Sequence, residues 1–278
     1  MSILSRVSSG VTPAGLRMVI AAQEKMGKTT MCSMAPKPLL VPLEVGYAGV
    51  SVDKTPMLQS FKEVQELMAE LTAYAQKGAL PYRTIVIDSA TALERHIHDH
   101  VLAMDPAYKP GSKTVTMESA HGGYGKAYNI SNTLFNDLLK QFDALAVYGG
   151  LNIILTCHVF SSKVMDPTSG EYDTWDLLLH SPKNEKTYGK RELITQWADV
   201  VGFLYEPMFV AREEKGNMAK GVSLNKGRVL GLSRSPAYTA GNRFGITGEV
   251  AIPAPPTNGW NAFADALYKV SGIDQFTR

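Results

Sequence analysis

Short apolar runs alternate with longer amphipathic stretches along most of the chain. Residues 16–21, 39–44, 85–88, 151–158 and 198–206 are apolar runs too short for helices, the signature of strands buried on both faces. Between them, residues 60–77 place Phe61, Val64, Leu67, Met68, Leu71 and Ala75 at helical spacing. Ser60 with Glu63 fits a capping box at the start of that helix, and Gly78 fits its stop. A second stripe, Leu134, Phe135, Leu138, Leu139, Phe142 and Leu145, predicts a helix over 127–146 that Gly149-Gly150 ends. Shorter helices are expected from 28 to 34 and over 90–102. Strand and helix in alternation imply right-handed crossovers and a parallel sheet covered on both faces. Pro42 inside the second strand predicts an edge position for it.

The pattern changes after residue 158. Residues 159–175 read as a hairpin around Asp166-Pro167-Thr168-Ser169-Gly170. A polar, basic stretch follows over 181–191, and a helical turn is expected at 193–197. Residues 208–233 read as an antiparallel excursion around a loop at 213–221. GNRFG (241–245) precedes a last strand, and 260–270 read as a terminal helix. Residues 105–123 have no apolar periodicity and contain Pro106, Pro110 and Gly111, a loop long enough to suggest a functional role. The chain reads as one α/β domain, with a core over about 14–248 and a helical tail over about 258–278.

Composition narrows the class. The 278 residues are 45% hydrophobic and 19% charged, enough to bury a substantial core. A net charge of +2 does not announce nucleic acid by itself, so a basic surface must be local. Cys32 and Cys157 lie in apolar segments outside any metal pattern, which predicts buried, reduced thiols. With no signal segment and no long apolar span, a soluble cytoplasmic protein without a membrane partner is expected.

The candidate chemistry starts at VIAAQEKMGKTT, residues 19–30. A strand runs into a loop ending Gly27-Lys28-Thr29, which matches a phosphate-binding loop with Ala22 at the first glycine position. Backbone N–H groups from Ala22, Gln23, Glu24, Lys25, Met26, Gly27, Lys28, Thr29 and Thr30 would cradle phosphate oxygens. Gly27 lets the backbone approach without a Cβ in the way. Lys28 would reach the β and γ phosphates, and the Thr29 hydroxyl would ligate Mg²⁺. Asp88 closes an apolar strand and is the second candidate metal ligand; it also precedes a helix, so an N-cap role is open to it. His96, His98 and His100 form no ligand set at helical spacing and predict a solvated helix surface.

AAQEKMGKTT, LLVPLEVG and IVIDSATAL together resemble the RecA-type ATPase core. PKPLLVPLEVG, IVIDSATAL, GGYGKAYN, NIILTCH, WADVVGFL and TAGNRFG follow the order of a phage-borne group of compact RecA-like ATPases, some acting in single-strand annealing and recombination. The resemblance spans about residues 14–248. It implies a RecA-like P-loop NTPase core, with a mainly parallel sheet flanked by helices and an antiparallel extension in the C-terminal half. It implies ATP and Mg²⁺ as ligands. It puts Glu44 in the role of orienting and deprotonating the attacking water. His158 falls where such cores sense the γ phosphate, though a satisfied strand-end histidine is the competing reading. Arg243 resembles the arginine offered to a neighbour's γ phosphate, although Gly241 replaces the lysine often found two residues earlier.

The same resemblance implies action on single-stranded DNA in phage recombination, repair or replication, in the host cytoplasm. Candidate contacts are Tyr108, Lys109 and Lys113, and Lys183, Lys186, Tyr188, Lys190 and Arg191, set against ordinary solvated lysines. A homo-oligomer, as ring or short filament, and a single-strand-binding protein are the other candidate partners. Only about 15 residues precede the first strand, so no separate N-terminal polymerisation element is expected. A small-molecule nucleotide kinase and a nucleotide-gated scaffold with little turnover are the alternatives. The first lacks an arginine-rich lid after the core. GTP is disfavoured because no NKxD-like guanine reader is present.

Overall fold

The computed structural model describes residues 7, 14–111, 114–168, 170–182, 188–210, 221–223, 227–274 and 276. The elements in chain order are β1 (Arg17–Ala21), α1 (Lys28–Cys32), β2 (Pro38–Pro42), β3 (Asp53–Lys54), α2 (Phe61–Gln76), β4 (Thr84–Asp88), α3 (Ala90–Ala103), α4 (Lys126–Val147) and β5 (Asn152–Cys157). They continue as β6 (Val159–Asp166), β7 (Gly170–Leu177), α5 (Lys190–Trp197), β8 (Val200–Tyr205), β9 (Met208–Val210), β10 (Gly221–Ser223), β11 (Arg228–Gly231), β12 (Gly241–Asn242), β13 (Glu249–Ile252) and α6 (Gly259–Ser271).

Among the described residues, nine strands form one sheet in the order β13-β11-β8-β1-β5-β4-β2-β3, with β12 also paired to β8. From β8 to β3 all neighbours are parallel. The antiparallel strands β11, β12 and β13 gather at the β8 end. The fold is therefore mixed α/β with a mostly parallel central sheet, the architecture of a P-loop NTPase core. The expected hairpin is β6–β7, a separate antiparallel pair that starts one residue after His158. The loop expected at 213–221 lies largely outside the described residues.

The strand sequences explain the two-sided burial. Successive side chains leave a strand on opposite faces. Val19 and Ala21 of β1, Ile85 and Ile87 of β4, and Ile153, Leu155 and Cys157 of β5 enter the core beneath α2, α3 and α4. Met18, Ile20, Val86 and Ile154 enter the opposite core, with Met31, Trp260, Phe263 and Leu267 from α1 and α6. Because both faces are apolar, the runs are continuous rather than alternating. The stripe of α4 buries Phe135, Leu138, Leu139, Phe142 and Leu145 as the spacing predicts. In α2, Ser60 accepts from the Glu63 N–H at 3.3 Å, while the Glu63 carboxylate takes the N–H of Gln59 at 2.7 Å, one residue earlier than in an ideal capping box. Both cysteines are free and buried. Among the described residues no helix is long and apolar enough to cross a membrane.

Three local expectations change. First, β2 is not the edge strand: two-residue β3 lies outside it, beside Leu39 and Leu40. Pro42 lies beyond that short partner, where its carbonyl still accepts from the Leu58 N–H. Second, the histidines of α3 are not a solvated surface. His100 packs edge-on against Phe61, and the buried Nε2 of His96 has no hydrogen-bond partner.

The third change concerns Lys190, expected among exposed DNA contacts. It is fully buried. Its ammonium lies 3.4 Å from Glu94 and donates to His98 Nε2 at 3.1 Å and Asn132 Oδ1 at 3.2 Å. Burial lowers the Lys190 pKa and raises that of Glu94, each opposed by the partner's charge. Burial beside the lysine also pushes His98 down to about 3, so its ring is neutral and can accept. This cluster joins α3, α4 and α5. Lys190→Met should cost about 3–5 kcal/mol, because it strands the Glu94 carboxylate in the interior. Adding Glu94→Gln should return most of that loss. Equal urea midpoints for the single and double variants would contradict the pairing.

Candidate functional site

The C-terminal ends of β1, β4 and β5 and the turn after β2 meet at a cleft of about 440 Å³. Glu24, Lys25, Gly27, Lys28, Thr29, Thr30, Glu44, Asp88 and His158 line it, with Val45, Gly46 and Val50. Strand order produces this meeting. β5 lies between β1 and β4, and β2 follows on the far side of β4, so residues distant in sequence end side by side.

The loop between β1 and α1 wraps the Lys28 side chain. Its ammonium is nearly buried and donates to the carbonyls of Ala22 at 2.9 Å and Gln23 at 3.0 Å. Burial lowers the Lys28 pKa, and the nearby charge of Asp88 works the other way. Both acceptors are neutral, so an arriving anion would supply the charge partner they cannot. Gly27 has φ +85°, a conformation that suits glycine. Lys25 also has positive φ, at 62°. Ala22 is not among the positive-φ residues; its side chain is buried and its N–H donates to Cys157 O, so alanine fits this position without strain. Gln23 is exposed at the rim, and Met26 packs against the core on the α1 side.

Asp88 ends β4 with its carboxylate nearly buried. Oδ2 accepts from the Thr29 hydroxyl at 2.7 Å, and Oδ1 accepts from the Thr156 hydroxyl. The N-cap role open to Asp88 belongs instead to Ser89, whose Oγ accepts from the Ala92 N–H at 3.2 Å. This leaves the Asp88 carboxylate facing the cleft beside Thr29. Two hard oxygen donors of this kind suit a magnesium ion, which takes few protein ligands and completes its shell with phosphate and water. Among the described residues, no three His, Cys, Asp or Glu side chains cluster as a metal site elsewhere.

Across the cleft, His158 Nε2 and Glu44 Oε1 are 2.8 Å apart. Burial pushes the Glu44 carboxyl upward, but hydrogen bonds from His158 and Ser89, with the charges of His158 and Arg95, outweigh it and hold the pKa below the ordinary glutamate value. Glu44 is therefore ionised at neutral pH. The His158 N–H in turn donates to Thr91 Oγ1, whose hydroxyl donates to Leu178 O at the base of the β6–β7 hairpin.

Arg243 does not join this group. Its guanidinium pairs with Asp199 at 2.9 Å and bonds the Gln196 carbonyl. Asp199 directly precedes β8, whereas the cleft lies beyond the other ends of the parallel strands. The five-residue β1 spans roughly 15 Å between those ends. Of the basic and aromatic candidates, Lys113, Lys183 and Lys186 lie outside the described residues. Lys109 is exposed and Tyr108 half-buried. Arg191 is committed to Asp176 and to the Phe160 ring. Two residues that support the cleft from behind its lining carried no sequence signal: Thr156, inside an apolar strand and bonded to Asp88, and Arg228, whose Nη1 donates to the Met26 carbonyl at 2.9 Å from 202 positions away.

Compared with known proteins, residues 14–244 match the family described as AAA domain. No curated protein matches the chain. The match covers most of the chain and includes every residue that lines the cleft. Members of such a family are nucleotide-binding ATPases, and the chain belongs to the AAA domain family.

Proposed function

We propose that the chain is a Mg²⁺-dependent, RecA-like ATPase that acts on single-stranded DNA in phage recombination, repair or replication. The observation that carries the ATPase reading is the convergence of Lys28, Thr29, Asp88, Glu44 and His158 on one cleft. Lys28 would pair with β- and γ-phosphate oxygens, and the loop from Ala22 to Thr30 would supply backbone donors. Thr29 and Asp88 would hold Mg²⁺, which when bound neutralises charge on the phosphates. Glu44, kept ionised and oriented by His158, would position the attacking water and take its proton. His158 links that carboxylate through Thr91 to the hairpin base, a route by which the cleft would influence a bound partner.

Two exposed tyrosines support the DNA reading. Tyr124 is 99% exposed and directly precedes the Gly125 cap of α4. Tyr188 is 63% exposed, and its carbonyl accepts from Asn132 of the same helix. Flat, exposed aromatic faces beside one helix suit stacked bases. Arg243, in this reading, acts on the site of a neighbouring copy within a ring or filament, after releasing Asp199.

Lys28→Ala should abolish tight ATP binding, whereas Glu44→Gln should bind ATP and lose about 10²–10⁴ in turnover. Mixing Glu44→Gln with Arg243→Ala protein should restore partial activity; no recovery removes Arg243 from catalysis. An ATP dissociation constant unmoved by Lys28→Ala removes the phosphate-loop assignment.

The pH profile tests His158. Glu44 has a depressed pKa, so its ionised form is lost only as pH falls below the ordinary glutamate range. His158→Ala leaves the burial contribution and removes a hydrogen bond, so the acid limb of kcat/KM should move to higher pH. An unmoved limb would separate His158 from Glu44.

ATP turnover measured with and without single-stranded DNA tests the whole reading. Stimulation is expected, and Tyr124→Ala should weaken DNA binding by about tenfold, within the range of one lost stack. Indifference to DNA overturns the DNA part, and a phosphorylated small-molecule product would replace it with the kinase reading.

A further inference from the structure

We propose that Arg228 is a nucleotide-binding residue that pairs, within the same chain, with phosphate oxygens of the nucleotide at Gly27. The inference rests on the reading of the cleft as an ATP site and adds a ligand to it.

Sheet pairing brings Arg228 there. β11 runs antiparallel to β8, with Val229 opposite Tyr205. β8 runs parallel to β1, with Phe203 beside Ala21. Arg228, at the start of β11, thus lies at the same end of the sheet as the loop that leaves Ala21. Its Nη1 donates to Met26 O at 2.9 Å. The same Nη1 lies 2.0 Å from the position a Cβ on Gly27 would occupy. A guanidinium therefore fills the notch left by the missing side chain of the phosphate-loop glycine.

The chemistry of this contact is incomplete. Guanidinium carries five N–H donors and a permanent charge. Among the described residues Arg228 makes one hydrogen bond, to a neutral carbonyl, and no ion pair. Arg191 and Arg243, by contrast, both have carboxylate partners. Phosphate offers paired oxygens that match the planar fork, and such charge-assisted bonds are roughly twice as strong as neutral ones. A small rotation of the Arg228 side chain out of the notch would admit a phosphate beside Gly27 and leave the guanidinium alongside it. Gly27 has a second role in this arrangement, since any side chain there would meet the arginine as well as the ligand.

The test is binding of ATP and of ADP to the full chain by titration calorimetry, for wild type, Arg228→Gln and Arg228→Lys. Glutamine keeps a donor for the Met26 carbonyl and removes the charge. Arg228→Gln should weaken both nucleotides by about ten- to hundredfold, the effect of losing a charged hydrogen bond. Arg228→Lys should recover part of that loss, with the melting temperature of the nucleotide-free chain unchanged in both. Affinities within twofold of wild type, or tighter binding, would overturn the proposal, the latter by making Arg228 a plug. Equal losses in the Gln and Lys variants would also overturn it, by assigning the effect to loop packing rather than charge. Wild-type protein that binds neither nucleotide would overturn the ATP reading itself, and this inference with it.

Discussion

The Asp88 carboxylate accepts from two hydroxyls that belong to different strands' ends, Thr29 after β1 and Thr156 in β5. That shared acceptor ties the loop, the central strand and β4 into one rigid corner. It works because β5 lies between β1 and β4 and because all three strands are parallel, so their C-terminal ends share one edge. The carboxylate is nearly buried, and burial makes each of its hydrogen bonds matter more than it would in water. Ser89 completes the arrangement by capping α3 itself, so that helix makes no demand on Asp88.

Charge placement follows the same economy across the molecule. Lys28 is held by neutral carbonyls and is left short of an anion, while Glu44 is held by His158 and kept ionised. Lys190 shows the opposite case: a buried cation fully supplied by Glu94, His98 and Asn132, hence a structural group with nothing left for a ligand. Arg243 and Arg191 are likewise committed to Asp199 and Asp176. Among the described residues, Lys28 and Arg228 bond only neutral carbonyls: Lys28 follows Gly27 in the chain, and Arg228 Nη1 lies where a Cβ on Gly27 would be. An unpaired buried or half-buried charge is costly unless a ligand completes it. The contrast therefore separates charges matched within the fold from charges that the fold leaves unmatched.

The hairpin after His158 extends this corner outward. Leu178, just past β7, accepts from Thr91, and Thr91 accepts from the His158 N–H. Trp175 of β7 bonds the backbone of Ala237 and Thr239. The hairpin base is thus fastened to both α3 and the segment before β12, while its outer residues alternate toward solvent. A shift at His158 has a short, continuous path to that base through backbone and hydroxyl contacts.

Much of the fold was legible in the chain alone. Continuous apolar runs identified β1, β4, β5 and β8, and helical stripes identified α2 and α4, because local periodicity reflects which faces are buried. The candidate phosphate loop was legible because the pattern depends on residues adjacent in sequence. Asp88 and Glu44 were legible as strand-end carboxylates. Other features depended on three-dimensional pairing. Lys190 read as an exposed basic residue because its polar neighbours carry no local mark of burial; Glu94 and His98 are about 90 positions away. Pro42 read as an edge residue because nothing in the sequence announced a two-residue outer strand. Arg243 carried a motif resemblance and Arg228 no signal, yet position in the sheet reverses their standing: β11 and β12 both run antiparallel to β8, but Arg228 opens β11 beside the loop after β1, whereas Arg243 follows β12 at the N-terminal edge of the parallel strands. The sequence by itself determined the class of fold and the conformation-setting pattern of the loop after β1, since both are encoded in short-range pattern. Which charges remain free to meet a ligand was decided only by tertiary structure, because that depends on partners brought together across the sheet.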